Sequence, residues 1–231
     1  MIAVVTGGCS GLGLEFSKYL ANSGYTVYAL YNKSIDNALL LEDEYSNVRA
    51  IKCDIRDENE VDKVLFNIGD IDILINNAGI AKDNSYQDKT KKEFMSVLET
   101  NVVGTFLVIK YAIDKMNKNG IIINISSNNA IDAHTSLSYD YDASKAGINM
   151  LTKDFALAIE EEKKDLVIVS ICPGWINTDA VNSMNPVFLK QELERTNQKE
   201  LLDKCELVKY IVDNIKNYKN GEVVVVKELE K

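Results

Sequence analysis

Short runs of almost continuously apolar, β-branched residues alternate along this chain with longer stretches of helical period, and that alternation restricts the fold more than any other feature. Residues 2–5, 26–30, 48–52, 73–75, 121–125, 167–171 and 223–226 read as strands. A strand that is apolar on both sides must be covered on both faces, as in a parallel sheet held between helices. The segments between the strands are long enough for right-handed crossovers. Helices are expected at 12–21, 58–66, 91–116, 140–161 and 199–218. No Pro/Gly/Ser-rich linker or repeat interrupts the rhythm. The 231 residues are therefore expected to form one doubly wound α/β domain with about seven parallel strands. One long excursion, 181–198, follows the sixth strand. It could roof a ligand crevice as a lid or form a helix pair on the surface.

The charge balance narrows the partners. With 26 basic and 35 acidic side chains, interspersed, the net charge is −9, which argues against nucleic acid and anionic membranes. Cys9, Cys53, Cys172 and Cys205 lie far apart and the chain has one histidine, His134, so neither a disulfide framework nor a metal centre is expected. His134 itself reads as a loop residue near a candidate active site. The chain opens on strand-like sequence without a signal peptide, and no uninterrupted apolar run approaches the roughly 20 residues of a membrane span. The expectation is a cytoplasmic protein.

Between the first strand and the first helix lies Thr6-Gly7-Gly8-Cys9-Ser10-Gly11-Leu12-Gly13. Glycines there let the backbone turn tightly and approach a pyrophosphate, while the helix start offers unpaired N–H groups. Further on, Tyr141 and Lys145 stand four residues apart, on one face of the expected helix. A phenol of pKa about 10 is a poor acid or base near neutrality, and a neighbouring ammonium is expected to draw it down. Either feature alone is common. Together they point to dinucleotide-dependent proton chemistry.

The spacing T-G-x-x-x-G-x-G resembles that of the short-chain dehydrogenase/reductase family, and the resemblance continues along essentially the whole chain. Cys53-Asp54-Ile55 follows the third strand, Asn76-Asn77-Ala78-Gly79 the fourth, and Ser126-Ser127 the end of the fifth. Tyr141-Asp142-Ala143-Ser144-Lys145 opens a helix, and Pro173-Gly174-Trp175-Ile176-Asn177-Thr178 follows the sixth strand. The resemblance implies a catalytic set of Asn101, Ser127, Tyr141 and Lys145. Ser126 competes with Ser127, which stands nearer the family's spacing to the tyrosine. Tyr139 has an alanine, not a lysine, four residues on.

The same resemblance implies a nicotinamide dinucleotide held by Gly7, Ser10, Gly11, Leu12 and Gly13 at the pyrophosphate, Asp54 and Ile55 at the adenine, and Asn77 and Gly79 at the ribose. Tyr141 and Lys145 would also touch it, with Ile176 and Thr178 at the carboxamide. At the end of the second strand Tyr31-Asn32-Lys33-Ser34 stands where NAD enzymes usually carry an acid. Asn32, Lys33 and Ser34 could hold a 2′-phosphate, so NADP(H) is favoured over NAD. The chain most resembles the 3-oxoacyl-(acyl-carrier-protein) reductase branch. A small or carrier-bound ketone is the expected substrate, and a homotetramer or homodimer the expected assembly. Oxidation of a sugar, polyol or other small alcohol with NAD, and a non-catalytic dinucleotide sensor, are the alternatives.

Overall fold

The computed structural model describes residues 1–132 and 135–229. The strands expected from the sequence are realised as a single parallel sheet of seven, ordered β3-β2-β1-β4-β5-β6-β7. These are β1 (Ile2–Thr6), β2 (Thr26–Tyr31), β3 (Val48–Lys52), β4 (Ile71–Asn76), β5 (Met116–Ile125), β6 (Leu166–Pro173) and β7 (Glu222–Val226).

Both faces of the sheet are covered, which is why its strands are apolar throughout. On one face Ala3, Val5, Ile73, Ile75, Ile121 and Ile123 pack with Phe16 and Leu20 of α1 (Gly11–Asn22) and Leu41 of α2 (Ile35–Glu44). Leu207 and Ile211 of α9 (Lys204–Asp213) complete that core. On the other, Val4, Leu74, Ile122 and Ile168 meet Val61 and Leu65 of α3 (Glu58–Phe66), Ile109 of α5 (Thr105–Ala112) and Ile159 of α6 (Tyr139–Glu161). Each such side chain taken out of water stabilises the fold by roughly 1.5–3 kcal/mol.

Several helices carry their own start signals. Asp57 caps α3 by accepting from the Asn59 and Glu60 N–H groups at 2.9 and 3.1 Å. Thr90 and Glu93 form a reciprocal capping box at the start of α4 (Lys91–Leu98).

Some elements differ from the sequence reading. Helix α2 was not anticipated, because the run Leu39-Leu40-Leu41 blurs its period and only Ala38 and Leu41 are buried. The last helix is shorter than expected, Lys204–Asp213, followed by a 3₁₀ turn at Ile215–Asn217. Strand β5 begins at Met116, whose pairing with Ile71 is offset by an irregularity before Ile121 meets Ile73.

The middle helix is continuous over Lys91–Lys115 but widens into a π-helical stretch, Glu99–Gly104, between α4 and α5. By length and composition it could cross a membrane. Val97, Leu107, Val108, Ile109 and Ala112 are instead buried within the protein.

The order of connection reverses between β1 and β4, which are neighbours although β2 and β3 intervene in sequence. Ligands of doubly wound sheets bind outside the carboxyl ends of the strands at such a reversal.

Candidate active site and dinucleotide groove

Every motif of the sequence reading lies at that carboxyl edge. Thr6, the last residue of β1, ties it to the end of β4: its Oγ1 accepts from the Asn77 and Ala78 N–H groups at 3.0 and 3.1 Å, and Asn77 Nδ2 donates to its carbonyl at 3.1 Å.

The glycine loop then turns into α1 with Gly7 and Gly11 at φ +64° and +51°, a region that strains residues bearing a Cβ. At Gly13 a Cβ would collide with the Gly7 carbonyl and lie 2.5 Å from Asn77 Nδ2. Ser10 precedes α1 without a side-chain capping bond, and no acidic residue occupies the first turn. A bare helix start beside a close-turning backbone fits the pyrophosphate of a dinucleotide. Cys9, within the loop, is fully buried, and burial with the Glu42 charge pushes its thiol up to about 11.

A cavity of about 450 Å³ runs from this loop across the ends of β2 and β3. Gly7, Ser10, Gly11 and Leu12 line it, as do Asn32, Lys33, Ser34, Asp54, Ile55, Asn77 and Gly79. Gly13 does not; it serves the loop by packing. Arg56, which the sequence reading overlooked, also lines this cavity. Its signal was a basic residue two places beyond Asp54, but only the folded loop brings it to the cavity that Lys33 also lines.

Asn77, Gly79 and Ile80 continue into a second cavity of about 220 Å³, walled by Ser126, Ser127, Tyr141 and Lys145. A third, of about 360 Å³, opens beyond Ser127 and Tyr141, which border both. Its walls are largely apolar: Leu137, Trp175, Ile176, Val181, Met184 and Phe188. The last three come from the 181–198 excursion, which folds as the end of α7 (Asp179–Asn182) and α8 (Pro186–Arg195). Ile176 borders the second and third cavities and Thr178 the third alone. His134 lies outside the described residues.

The two serines are separated by their bonds. Ser126 is 3% exposed and donates to the Lys145 carbonyl at 3.0 Å, which ties β5 to α6. Ser127 starts a 3₁₀ turn, accepts from the Asn129 N–H at 3.2 Å, and lies near enough to the Tyr141 hydroxyl to favour its phenolate. Its Oγ also donates to Asn128 Oδ1 at 3.3 Å. Tyr139 is 40% exposed and lines none of these cavities.

Lys145 is 4% exposed, with Nζ donating to the Ile125 carbonyl at 2.8 Å and lying 5.4 Å from the Tyr141 ring centroid. Burial lowers the Lys145 ammonium to about 8. Burial also raises the Tyr141 phenol to about 12, against the opposing effect of Ser127. The phenol is thus shifted opposite to the expected lowering by the lysine. Desolvation is the largest cause at both groups and disfavours the charged form of each.

Asn101 sits in the π-helical stretch, fully buried, and lines none of these three cavities. Its Oδ1 accepts from the Ile80 N–H at 2.8 Å, and its Nδ2 donates to the Ile80 carbonyl and to Ser144 Oγ, both at 2.9 Å. It clamps the β4 loop to the tyrosine-bearing helix.

These features define a Rossmann-type protein with a buried tyrosine–lysine pair beside a groove at the strand ends. Residues 1–187 match the short chain dehydrogenase family, and the chain belongs to it. It is 33% identical to an acetoacetyl-CoA reductase of Paracoccus denitrificans over 196 residues, covering 82% of this chain and 79% of that enzyme. It is 28% identical to a 3-oxoacyl-[acyl-carrier-protein] reductase of Bos taurus over 232 residues, covering 97% and 95%. Among solved structures, a dehydrogenase/reductase from Sinorhizobium meliloti 1021 superposes with a TM-score of 0.89 at 25% identity, covering 97% of this chain and 92% of that one. A blue fluorescent protein from a metagenomic library, in complex with NADPH, does so with a TM-score of 0.85 at 26% identity, covering 98% and 96%.

Proposed function

We propose that this protein is an NADP(H)-dependent reductase of 3-oxoacyl thioesters or related small ketones. The observation that carries this reading is the position of Ser127 and Tyr141, which both border the inner cavity and the apolar cavity beyond it. The bound nicotinamide supplies or accepts the hydride. Gly7, Ser10, Gly11 and Leu12 would form the pyrophosphate end, with Gly13 packed behind them, Asp54 and Ile55 the adenine end, and Asn77 and Gly79 the ribose. Asn32, Lys33 and Ser34 favour a 2′-phosphate, since no carboxylate follows β2 to repel one.

Ser127 and Tyr141 hold the carbonyl oxygen, and Tyr141 donates its proton there. The raised phenol suits that direction, because it is protonated throughout the neutral range. Lys145 places a cation behind the phenol and orients the ribose. Asn101 positions the loop after β4 against the tyrosine-bearing helix. Ile176 and Thr178 bound the nicotinamide side, and Val181, Met184 and Phe188 act as a lid over an acyl chain. The reductase names of the two relatives support the substrate class. Exposed Val103, Phe106, Met150 and Leu157 on the middle and tyrosine-bearing helices supply apolar surface for a homodimer or homotetramer.

The test is a carbonyl panel followed by NADPH consumption, with Tyr141→Phe as its control. Activity on acetoacetyl thioesters that falls about 10²–10⁴-fold in the variant is expected. Near-wild-type turnover by Tyr141→Phe would sink the mechanism. No turnover on 3-oxoacyl thioesters, with turnover of other ketones, would overturn only the substrate class.

A further inference from the structure

Arg56 lies in the short loop between β3 and α3, and its guanidinium is held from one side. Its Nε donates to Asp54 Oδ1 and Oδ2 at 2.9 and 3.2 Å, and Nη2 donates to Oδ2. The Arg56 N–H also bonds Asp54 Oδ1 at 3.1 Å. Asn32, just beyond the end of β2, lies near enough to the same carboxylate to favour its charged form. Arg56, Asp54 and Asn32 thus gather in one cavity at the ends of two strands. They share their cavity with Lys33 and Ser34. The bonds to Asp54 use Nε and Nη2, and the Arg56 side chain is 44% exposed.

Asp54 by itself would place an unopposed carboxylate in the cavity where a 2′-phosphate is expected. Its pairing with Arg56 removes that repulsion and leaves the Lys33 charge in excess. An arginine fixed at one edge keeps the planar donor geometry that phosphate oxygens accept, at little further cost in side-chain order. Glu99 contributes a more distant negative charge near Arg56, which favours the guanidinium but makes no bond to it.

We propose that Arg56 is a specificity-determining residue for the cofactor: anchored by Asp54, it joins Lys33 in binding the 2′-phosphate of NADP(H). This rests on the NADP(H) reading above, and binding measurements separate the two. Titration calorimetry would compare adenosine 2′,5′-bisphosphate with 5′-AMP, which differ only in the 2′-phosphate, on wild type, Arg56→Gln and Arg56→Lys.

Wild type is expected to prefer the bisphosphate. Arg56→Gln should bind it about tenfold more weakly while its affinity for 5′-AMP stays within about twofold, the loss of one charge-assisted contact. Arg56→Lys, which keeps the charge without the fork, should fall between. A wild type that does not distinguish the ligands overturns the NADP(H) reading. An undiminished preference in Arg56→Gln overturns the role of Arg56 alone. Equal weakening of both ligands also overturns it, since Arg56 would then serve only to seat Asp54. The thermal unfolding midpoint of each variant, expected within a few degrees of wild type, checks that the loop retains its fold.

Discussion

The Lys145 ammonium lies 5.4 Å from the Tyr141 ring centroid, yet its hydrogen bond goes to the Ile125 carbonyl at 2.8 Å, not to the phenol. The pair therefore acts through charge and position. Burial leaves the phenol protonated and the ammonium easier to deprotonate than a lysine in water. That combination favours the acid role of Tyr141.

Ketone reduction should be nearly independent of pH below about 7 and decline as pH rises through about 8, where Lys145 loses its proton. Alcohol oxidation, which needs Tyr141 as a base, should increase over the same range. Initial rates in both directions across pH 6–10 check this. Reduction that speeds up above pH 8 would contradict it.

Replacing Lys145 with methionine should abolish turnover and stabilise the fold. Moving the ammonium from 10.5 to about 8 corresponds to a cost of about 3 kcal/mol near neutrality, partly offset by the Ile125 bond. The sign follows from proton binding. The unfolded chain holds the lysine proton more tightly, so the penalty is full below pH 8 and is relieved as pH rises towards 10.5. Urea unfolding at pH 7 and pH 10 should give a larger advantage for the variant at pH 7.

Ser126→Ala and Ser127→Ala should separate stability from chemistry. The first removes a buried bond to the Lys145 carbonyl and should cost roughly 1 kcal/mol, with kcat falling only modestly. The second should leave stability within about 1 kcal/mol and lower kcat about 10²-fold or more. Parallel kinetics and denaturant titrations read both; equal kinetic losses would refute the division.

The ion pair of Lys89 and Asp140, at 2.9 Å with side chains 6% and 0% exposed, joins the loop after β4 to the start of α6. Asp140 Oδ1 also accepts from the Tyr141 N–H at 2.9 Å, and Ser138 donates to Asp83 at 2.7 Å alongside. Lys89→Met strands a buried carboxylate and should destabilise by about 3–5 kcal/mol. Adding Asp140→Asn should recover much of that loss. A single variant as stable as wild type in chemical unfolding would show that the pair does not hold the helix.

Much of this was legible in the sequence because it is local. Strands apolar on both sides imply covering helices, a glycine loop implies a tight approach, and Tyr141 and Lys145 share a helix face by spacing alone. Helix α2 was illegible because its burial is slight and its leucine run has no clean period. The π-helical widening at Asn101 was beyond local reading too, since it depends on bonds to Ile80 and Ser144, distant in the chain.

By itself, then, the sequence determined the layered α/β class, the order of the motifs along the strand ends and the shared helix face of Tyr141 and Lys145. Tertiary structure decided that Ser127 and Tyr141 border both inner cavities, that Arg56 and Lys33 line one cavity, and in which direction the buried groups titrate. Hydrophobic period and backbone spacing are written into neighbouring residues. Desolvation and side-chain pairing depend on what the folded chain places around each group.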